Sequence, residues 1–152
     1  MILDQYELKA GGNLTTFEFI SEGPKGSIPK IIQFTPSNVA ELYNLAFGDR
    51  HPGTGRIDDT TISNNRDSDR ILATVVASVY AFTRIHPEAW IYATGSTPAR
   101  TRLYRMGISR YLQEGRKDFI IYGQFHNQWE PFEKSKDYEG FVAKRKFSNF
   151  EE

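Results

Sequence analysis

Apolar and polar residues alternate along the first third of the chain, which is the pattern of half-buried β-strands. The alternation covers residues 6–9 and 15–20, on either side of the turn residues 11–13. A second turn signal, Gly-Pro-Lys-Gly at 23–26, precedes a third alternating run at 28–34. The pattern therefore predicts three strands that follow one another through tight turns.

The spacing of apolar residues changes after residue 34. The residues at 35–38 supply capping chemistry, and apolar side chains then recur at helical intervals as far as Gly48, at Val39, Leu42, Tyr43, Leu45 and Ala46. This spacing predicts a helix over 39–46. An exposed loop rich in glycine and proline follows at 48–56, and then a short strand at 57–62 with turn residues at 63–67.

The longest apolar run, at 71–82, is apolar on nearly all sides. About 18 residues without an internal Gly or Pro favour a buried helix over a strand. Asp67 or Ser68 would cap its start, and Pro87 lies just beyond its end. We therefore expect this segment to be the central helix of the fold.

The remaining segments predict a strand, a helix and two further strands. The strands are expected at 89–94, 118–125 and 138–147, and the helix at 99–114 with Gly115 as its stop. The basic run 144–146 would suit an edge strand. This order predicts an α+β fold, with a single twisted, mostly antiparallel sheet and two or three helices packed on one face. We expect one domain over residues 1–147 and a frayed tail at 148–152.

Composition excludes several functions. The chain has 152 residues, of which 39% are hydrophobic and 14% aromatic, so it folds around an aromatic-rich core. The absence of cysteine excludes disulfides, cysteine-ligated metals and thiol catalysis. His51, His86 and His126 lack metal-ligand spacing, and we expect neither metal nor cofactor. No segment has the character of a membrane span or a signal peptide, so we expect a cytoplasmic protein without a membrane partner.

The strongest candidate site begins where the strand at 89–94 ends. A loop of small residues leads to Thr97-Pro98, which is a typical helix start, and Gly95 would serve the turn by tolerating a positive φ. Loop N–H groups and the helix dipole then point into one space, where a phosphate, nucleotide or acyl carrier would bind. Arg100 ranks first because its side chain can lean back over the strand end. The predicted ligand-binding residues are Gly95, Ser96, Thr97, Arg100 and Arg102.

Other interpretations of the same segment stay open. Thr97 could act only as a helix cap, and the domain could be purely structural or oligomerising. Acyl-CoA-dependent acetyltransferases seat a pyrophosphate on a similar strand, loop and helix, but their glycine-rich cradle is absent from this chain. No nucleophile–base pair is visible, so the sequence names no catalytic residue and does not decide whether the protein is an enzyme.

The helix at 99–114 suggests an alternative function. Nineteen basic residues balance nineteen acidic ones over the whole chain, yet residues 95–116 hold five arginines and a single acid. The alternative is a nucleic-acid or protein-binding module of the toxin–antitoxin or phage-defence type. Its basic helix would act together with stacking aromatics, for which the candidates are Tyr92, Tyr104 and Trp129. His126 and Trp129 also form a candidate cleft wall.

The segment from Ala93 to Arg105 carries a resemblance. Its core reads Gly-Ser-Thr-x-x-Arg-Thr-Arg-Leu-Tyr, and it stands between the long apolar helix and the strand at 118–125. In these features the chain resembles an uncharacterised family of small bacterial proteins, met chiefly in Bacteroidetes-type genomes. The resemblance implies an intracellular bacterial protein of unknown function and supplies no activity or site residue.

Overall fold

The protein folds into one sheet of nine strands and two helices, as described by a computed structural model that covers residues 4–12, 14–58, 64–95 and 97–146. The predicted α+β class is confirmed. In chain order the elements are β1 (Lys9–Ala10), β2 (Thr16–Gly23), β3 (Gly26–Pro36), β4 (Leu42–Arg50), β5 (Ile57–Asp58), α1 (Ser68–Ile85), β6 (Trp90–Ala93), α2 (Pro98–Asp118), β7 (Phe119–Phe125), β8 (Gln128–Pro131) and β9 (Gly140–Arg145).

The strands lie in the order β1-β2-β3-β4-β6-β9-β7-β8, and β5 pairs with the end of β4. Neighbours among the described strands are antiparallel except β4 and β6, which run parallel over four residue pairs from Leu42–Trp90 to Leu45–Ala93. β6 ends there, whereas β4 continues to Arg50. The two parallel strands thus part at their carboxyl ends, and each is followed along the chain by a helix.

Aromatic rings hold α1 against the sheet. Phe82 of α1 stacks on Phe34 of β3 with 4.3 Å between ring centroids, and Tyr43 of β4 meets Phe82 edge-on at 5.0 Å. Farther along the same face, Phe19 stacks against Phe47 at 6.1 Å. Each such pair contributes about 0.5–1.5 kcal/mol beyond simple burial. Part of the aromatic-rich composition therefore forms the contact between α1 and the sheet.

The strand β4 stands where the spacing predicts a helix over 39–46, so that prediction is wrong. Tyr43, Leu45 and Phe47 alternate along β4 and point toward the helices, which is the period of a strand. A run of so few apolar residues fits both periods, and pairing with β3 on one side and β6 on the other selects the strand.

The strand β9 lies inside the sheet, between β6 and β7, and not at an edge. Its basic residues have structural partners. Arg145 donates to Thr83 Oγ1 at 2.8 Å and to the Tyr80 carbonyl at 2.9 Å, near the end of α1. Lys144 lies 3.6 Å from Glu88. The run 144–146 therefore links the sheet to the end of α1.

Both helices begin where the sequence predicts, but α2 continues past Gly115 to Asp118. In the described part of the chain, neither helix combines the length and the hydropathy that a membrane span requires. Some predictions fall on residues that the structure does not describe. They are the turn position Asn13, the strand and turn residues 59–63, the loop residue Ser96, the strand end Phe147 and the tail 148–152.

Candidate anion-binding cleft

The start of α2 has the predicted capping geometry. Thr97 Oγ1 accepts a hydrogen bond from the Arg100 N–H at 3.2 Å, and Pro98 occupies the first turn. The Gly95 N–H donates to Thr101 Oγ1 at 3.0 Å, and the Thr101 N–H donates to the Thr97 carbonyl at 3.0 Å. The N–H groups of Gly95, Arg100 and Thr101 are therefore bonded within the corner itself, which supports the capping interpretation of Thr97.

Gly95 is required for space, not for a positive φ. Among the described glycines, positive φ is found at Gly26 and Gly55. A Cβ on Gly95 would lie 2.3 Å from the Thr101 nitrogen and 2.6 Å from Arg100 Cβ. The first turn of α2 packs directly on this residue, so the sequence interpretation of Gly95 is corrected.

The structure divides the predicted ligand-binding residues between two hollows. Gly95 and Thr97 line one hollow, together with Arg105 and the acidic residues Asp137 and Glu139. Arg105 Nη1 lies 3.2 Å from Asp137 Oδ1. Two carboxylates beside one paired arginine make this hollow a poor anion site.

Arg100 and Arg102 line a different hollow, which lies between the sheet and the first turns of both helices. We call it the helix-end cleft. Its volume is about 410 Å³. It is lined by Lys30, Phe47, Asp49, Asn64, Asn65, Asp67, Ser68, Ile71, Ala99, Arg100, Arg102, Leu103 and Met106.

Arg100 is buried against the sheet, with 8% of its surface exposed. Its Nη1 donates to the Phe47 carbonyl, and its guanidinium carbon lies 5.4 Å from the Phe47 ring centroid. The segment 46–48 of β4 lies between the end of β6 and the short β5, so the arginine enters a gap in the sheet. Arg100 thereby ties the first turn of α2 to β4 and brings a positive charge to the floor of the helix-end cleft.

A second cation, Lys30, lies on the floor of the same cleft and is 3% exposed. Its ammonium forms an ion pair with the carboxylate of Asp49 on the neighbouring strand. A buried charge is tolerated only when it is paired. Lys30 shares a strand face with the buried residues Ile32 and Phe34. A lysine at an inward-facing position of an alternating strand is the sequence signal that could have indicated this buried ion pair.

Asp67 occupies the N-cap position of α1, but its side chain makes no capping hydrogen bond to the helix. Its Oδ2 accepts hydrogen bonds from the Tyr6 hydroxyl at 2.6 Å and from Ser21 Oγ at 2.5 Å. Burial, followed by the hydrogen bond to this carboxylate, raises the pKa of Tyr6. The predicted cap position is therefore confirmed for Asp67. Its side chain, however, ties the start of α1 to β2 and leaves the first N–H groups of the helix without a side-chain cap.

Arg102 is exposed on the rim of the cleft. Within the described ranges, no acidic side chain pairs with it. Other arginines of α2 are engaged: Arg110 lies 3.2 Å from Asp69, and Arg116 donates to the Phe132 carbonyl at 2.8 Å. Arg102 therefore differs from its neighbours by facing the cleft without a carboxylate partner.

The aromatic candidates do not form a common surface with the exposed arginines of α2. Tyr104 is buried in the core, whereas Tyr92 and Trp129 meet edge-on at 6.0 Å. Tyr92 alternates with Ile91 and Ala93, which face the helices, so this pair lies on the other face of the sheet. His126 is at the exposed tip of the β7–β8 hairpin, with φ 52°. Neither His126 nor Trp129 lines the helix-end cleft.

Comparison with known proteins adds a family but no activity. No curated protein matches the chain, and no solved structure matches it. The chain belongs to a family of unknown function, DUF6934, whose model matches residues 3–146.

Proposed function

We propose that the helix-end cleft binds a phosphate-bearing small molecule, such as a nucleotide or a coenzyme A-type acyl carrier. One observation carries the proposal: three cationic side chains, those of Lys30, Arg100 and Arg102, surround a single open volume. Two carboxylates share the lining, of which Asp49 is paired with Lys30 and Asp67 is held by two hydroxyls. The excess charge is positive, which favours an anion.

The helix ends support the same proposal. The first turns of both α1 and α2 line the cleft, through Ser68 on one helix and Ala99 on the other. Each helix brings the positive end of its dipole, and the side chain of Asp67 does not cap α1. The cleft also lies where the parallel strands β4 and β6 part, and ligands of open α/β sheets bind outside the carboxyl ends of such strands.

The proposal concerns binding. The lining of the cleft contains no histidine or cysteine among the described residues. If a reaction occurs there, these residues would contribute by stabilising developing negative charge. Arg102 would form the direct contact, because a guanidinium donates two parallel hydrogen bonds to a phosphate. Arg100 and Lys30 would supply charge from the floor.

The test is titration calorimetry of the wild-type protein with ADP, coenzyme A, inorganic phosphate and a short RNA. We expect ADP or coenzyme A to bind and Arg102→Ala to weaken that binding about ten- to a hundredfold, because one charge-assisted contact is lost. Arg110→Ala is the matched control, since it removes an exposed arginine of the same helix that is paired with Asp69. We expect it to leave the affinity unchanged.

Two results would contradict the proposal. Equal losses in Arg102→Ala and Arg110→Ala, with affinity for RNA that falls steeply as salt rises, would favour the nucleic-acid alternative. Failure of all four compounds to bind would leave the helix-end cleft as a structural feature of the fold.

A further inference from the structure

A second hollow, which we call the apolar cavity, lies deeper between the two helices and the sheet and has a volume of about 120 Å³. Along the helices its lining begins at Leu72 of α1 and Tyr104 of α2, directly beside Ile71 and Leu103, which line the helix-end cleft. Its walls and floor include Val75 and Val79 of α1, Ile108 and Tyr111 of α2, Ile91 of β6 and Ala143 of β9.

The surface of the apolar cavity is almost entirely carbon. The polar side-chain atoms of its lining are tyrosine hydroxyls, and that of Tyr80 donates to Asp118 at 2.6 Å. A buried water needs about two to four polar partners, which this lining does not offer. The chemistry of the walls therefore suits an apolar occupant.

Two glycines of α2, Gly107 and Gly115, border the apolar cavity. Gly107 lets Leu72 approach α2 so closely that an added Cβ would lie 2.9 Å from Leu72 Cδ2, which sets the distance between the helices. At Gly115, farther along α2, an added Cβ would meet only Ile121 Cδ1, at 3.6 Å. Protein interiors normally pack without voids of this size. At Gly115, in contrast to Gly107, the chain therefore places glycine where a larger side chain would fit.

The apolar cavity also reaches the surface. Val76 and Val79 of α1 and Ile108 and Tyr111 of α2 line it, yet all four side chains are only half-buried. Their partial exposure marks an opening between the two helices. A ligand would enter through this opening without unfolding either helix.

We propose that the apolar cavity binds a small uncharged apolar molecule, or the apolar group of a larger one, of about the size of benzene. A cavity of about 150 Å³ lined by aliphatic and aromatic side chains stays dry and binds benzene, and the present volume is comparable. This inference does not depend on the helix-end cleft, whose proposed ligand is an anion.

The experiment measures the melting temperature of the wild-type protein with increasing benzene and, separately, pyridine. Pyridine has the same shape but carries a nitrogen that accepts a hydrogen bond. We expect benzene to raise the melting temperature by about 2–4 °C as the cavity fills, and pyridine to have less effect. Methyl NMR signals of Val75, Val79 and Ile108 should shift with benzene.

A cavity-filling variant and a matched control test whether benzene binds in the apolar cavity. Ala143→Leu adds three carbon atoms on the cavity side of the sheet, and we expect it to abolish the benzene effect. Ala46→Leu is the matched control: it adds the same atoms beside Leu45 and Phe47 on the opposite face and should retain the effect. Gly115→Leu is a second filling variant, to be used if Ala143→Leu does not fold.

The inference is overturned if benzene leaves the melting temperature and the methyl signals of the wild-type protein unchanged. It is equally overturned if a folded filling variant responds to benzene as strongly as the wild-type protein. A shift with pyridine as large as that with benzene would show a hydrated cavity, which also contradicts it.

Discussion

The helix-end cleft and the apolar cavity are enclosed by the same two helices and the same sheet, yet their linings are chemically opposite. The cleft holds Lys30, Arg100 and Arg102 at the first turns of the helices. The cavity adjoins the cleft and extends farther along the helices, and it is lined by aliphatic and aromatic side chains. The contrast shows that position along the helix pair, and not the choice of helix, determines whether the lining of a hollow is charged or apolar.

The sheet explains this difference. Beneath the first turns, β6 has ended and β4 has no neighbour on that side before β5, so a guanidinium can reach the carbonyl of Phe47. Beneath the later turns, β6, β9 and β7 form a continuous floor. A charged side chain there would lose its hydration without gaining a partner, so apolar residues fill that region.

Breaking the Lys30–Asp49 pair should have the largest effect. Lys30→Met removes the ammonium that pairs with the carboxylate of Asp49, whose side chain is 16% exposed. We expect the free energy of unfolding to fall by about 3–5 kcal/mol, measured by urea denaturation. The double variant Lys30→Met/Asp49→Leu should recover most of this loss, because it removes both charges. Unchanged stability in the single variant would show that the pair is solvated.

Substitution of Gly95 by a larger residue should have the second-largest effect, because the added side chain displaces the first turn of α2. The added Cβ of Gly95→Ala would meet backbone atoms of Thr101 and Arg100, which cannot move aside. We expect a loss of about 1–3 kcal/mol in chemical denaturation and weaker binding in the helix-end cleft. The control is Gly115→Ala in the same helix, where space is available and a gain of about 0.5–1 kcal/mol is expected. Equal effects at both positions would refute the close approach at Gly95.

A smaller effect is expected beside the apolar cavity. Burial, followed by the hydrogen bond to Asp118, raises the pKa of Tyr80 above the ordinary tyrosine value of 10.0. Because the pKa is higher in the folded protein, the protonated Tyr80 hydroxyl contributes to folding stability. This contribution is complete below pH 10.0 and is lost as the pH rises above it. Tyr80→Phe should cost about 1 kcal/mol at neutral pH and flatten the alkaline decline of stability. An unchanged alkaline decline in urea titrations of the variant would contradict this prediction.

The smallest expected effect is the influence of a ligand in one hollow on the binding of a ligand in the other, which we call the coupling between the two hollows. If their ligands occupy separate sites in one unchanged fold, the stabilisation by coenzyme A or ADP and that by benzene should add to within about 0.5 kcal/mol. Thermal unfolding with each ligand and with both measures the coupling. A larger deviation would mean that the helix-end cleft and the apolar cavity act as one site.

Local signals predicted much of the fold. The hairpin at Gly23–Gly26 forms where the Gly-Pro-Lys-Gly turn predicts it, with a positive φ at Gly26. The apolar run of α1 and the Thr97-Pro98 start of α2 also lie where expected. Each of these features depends on residues that are close in sequence, so the pattern alone is sufficient. The strand β4 was missed because its short apolar run fits two periods and only its neighbours choose between them.

The candidate site was predicted less well than the fold. Arg100 is buried, and its carbonyl partner on Phe47 lies 53 residues away in the chain. The aspartate that pairs with Lys30 is likewise on another strand. No local pattern encodes such contacts, and the division of Gly95 and Arg100 between two hollows follows from them.

By itself the sequence determined the class of the fold, most element positions and the basic character of α2, since period, capping and charge are local properties. The tertiary structure decided where each charge points. It brought Arg100 and Lys30 together in one cleft and placed Gly95 in another hollow, beside Asp137 and Glu139. It also left an apolar space between the helices. These outcomes depend on how distant strands pair and where they end, which no short stretch of the chain specifies.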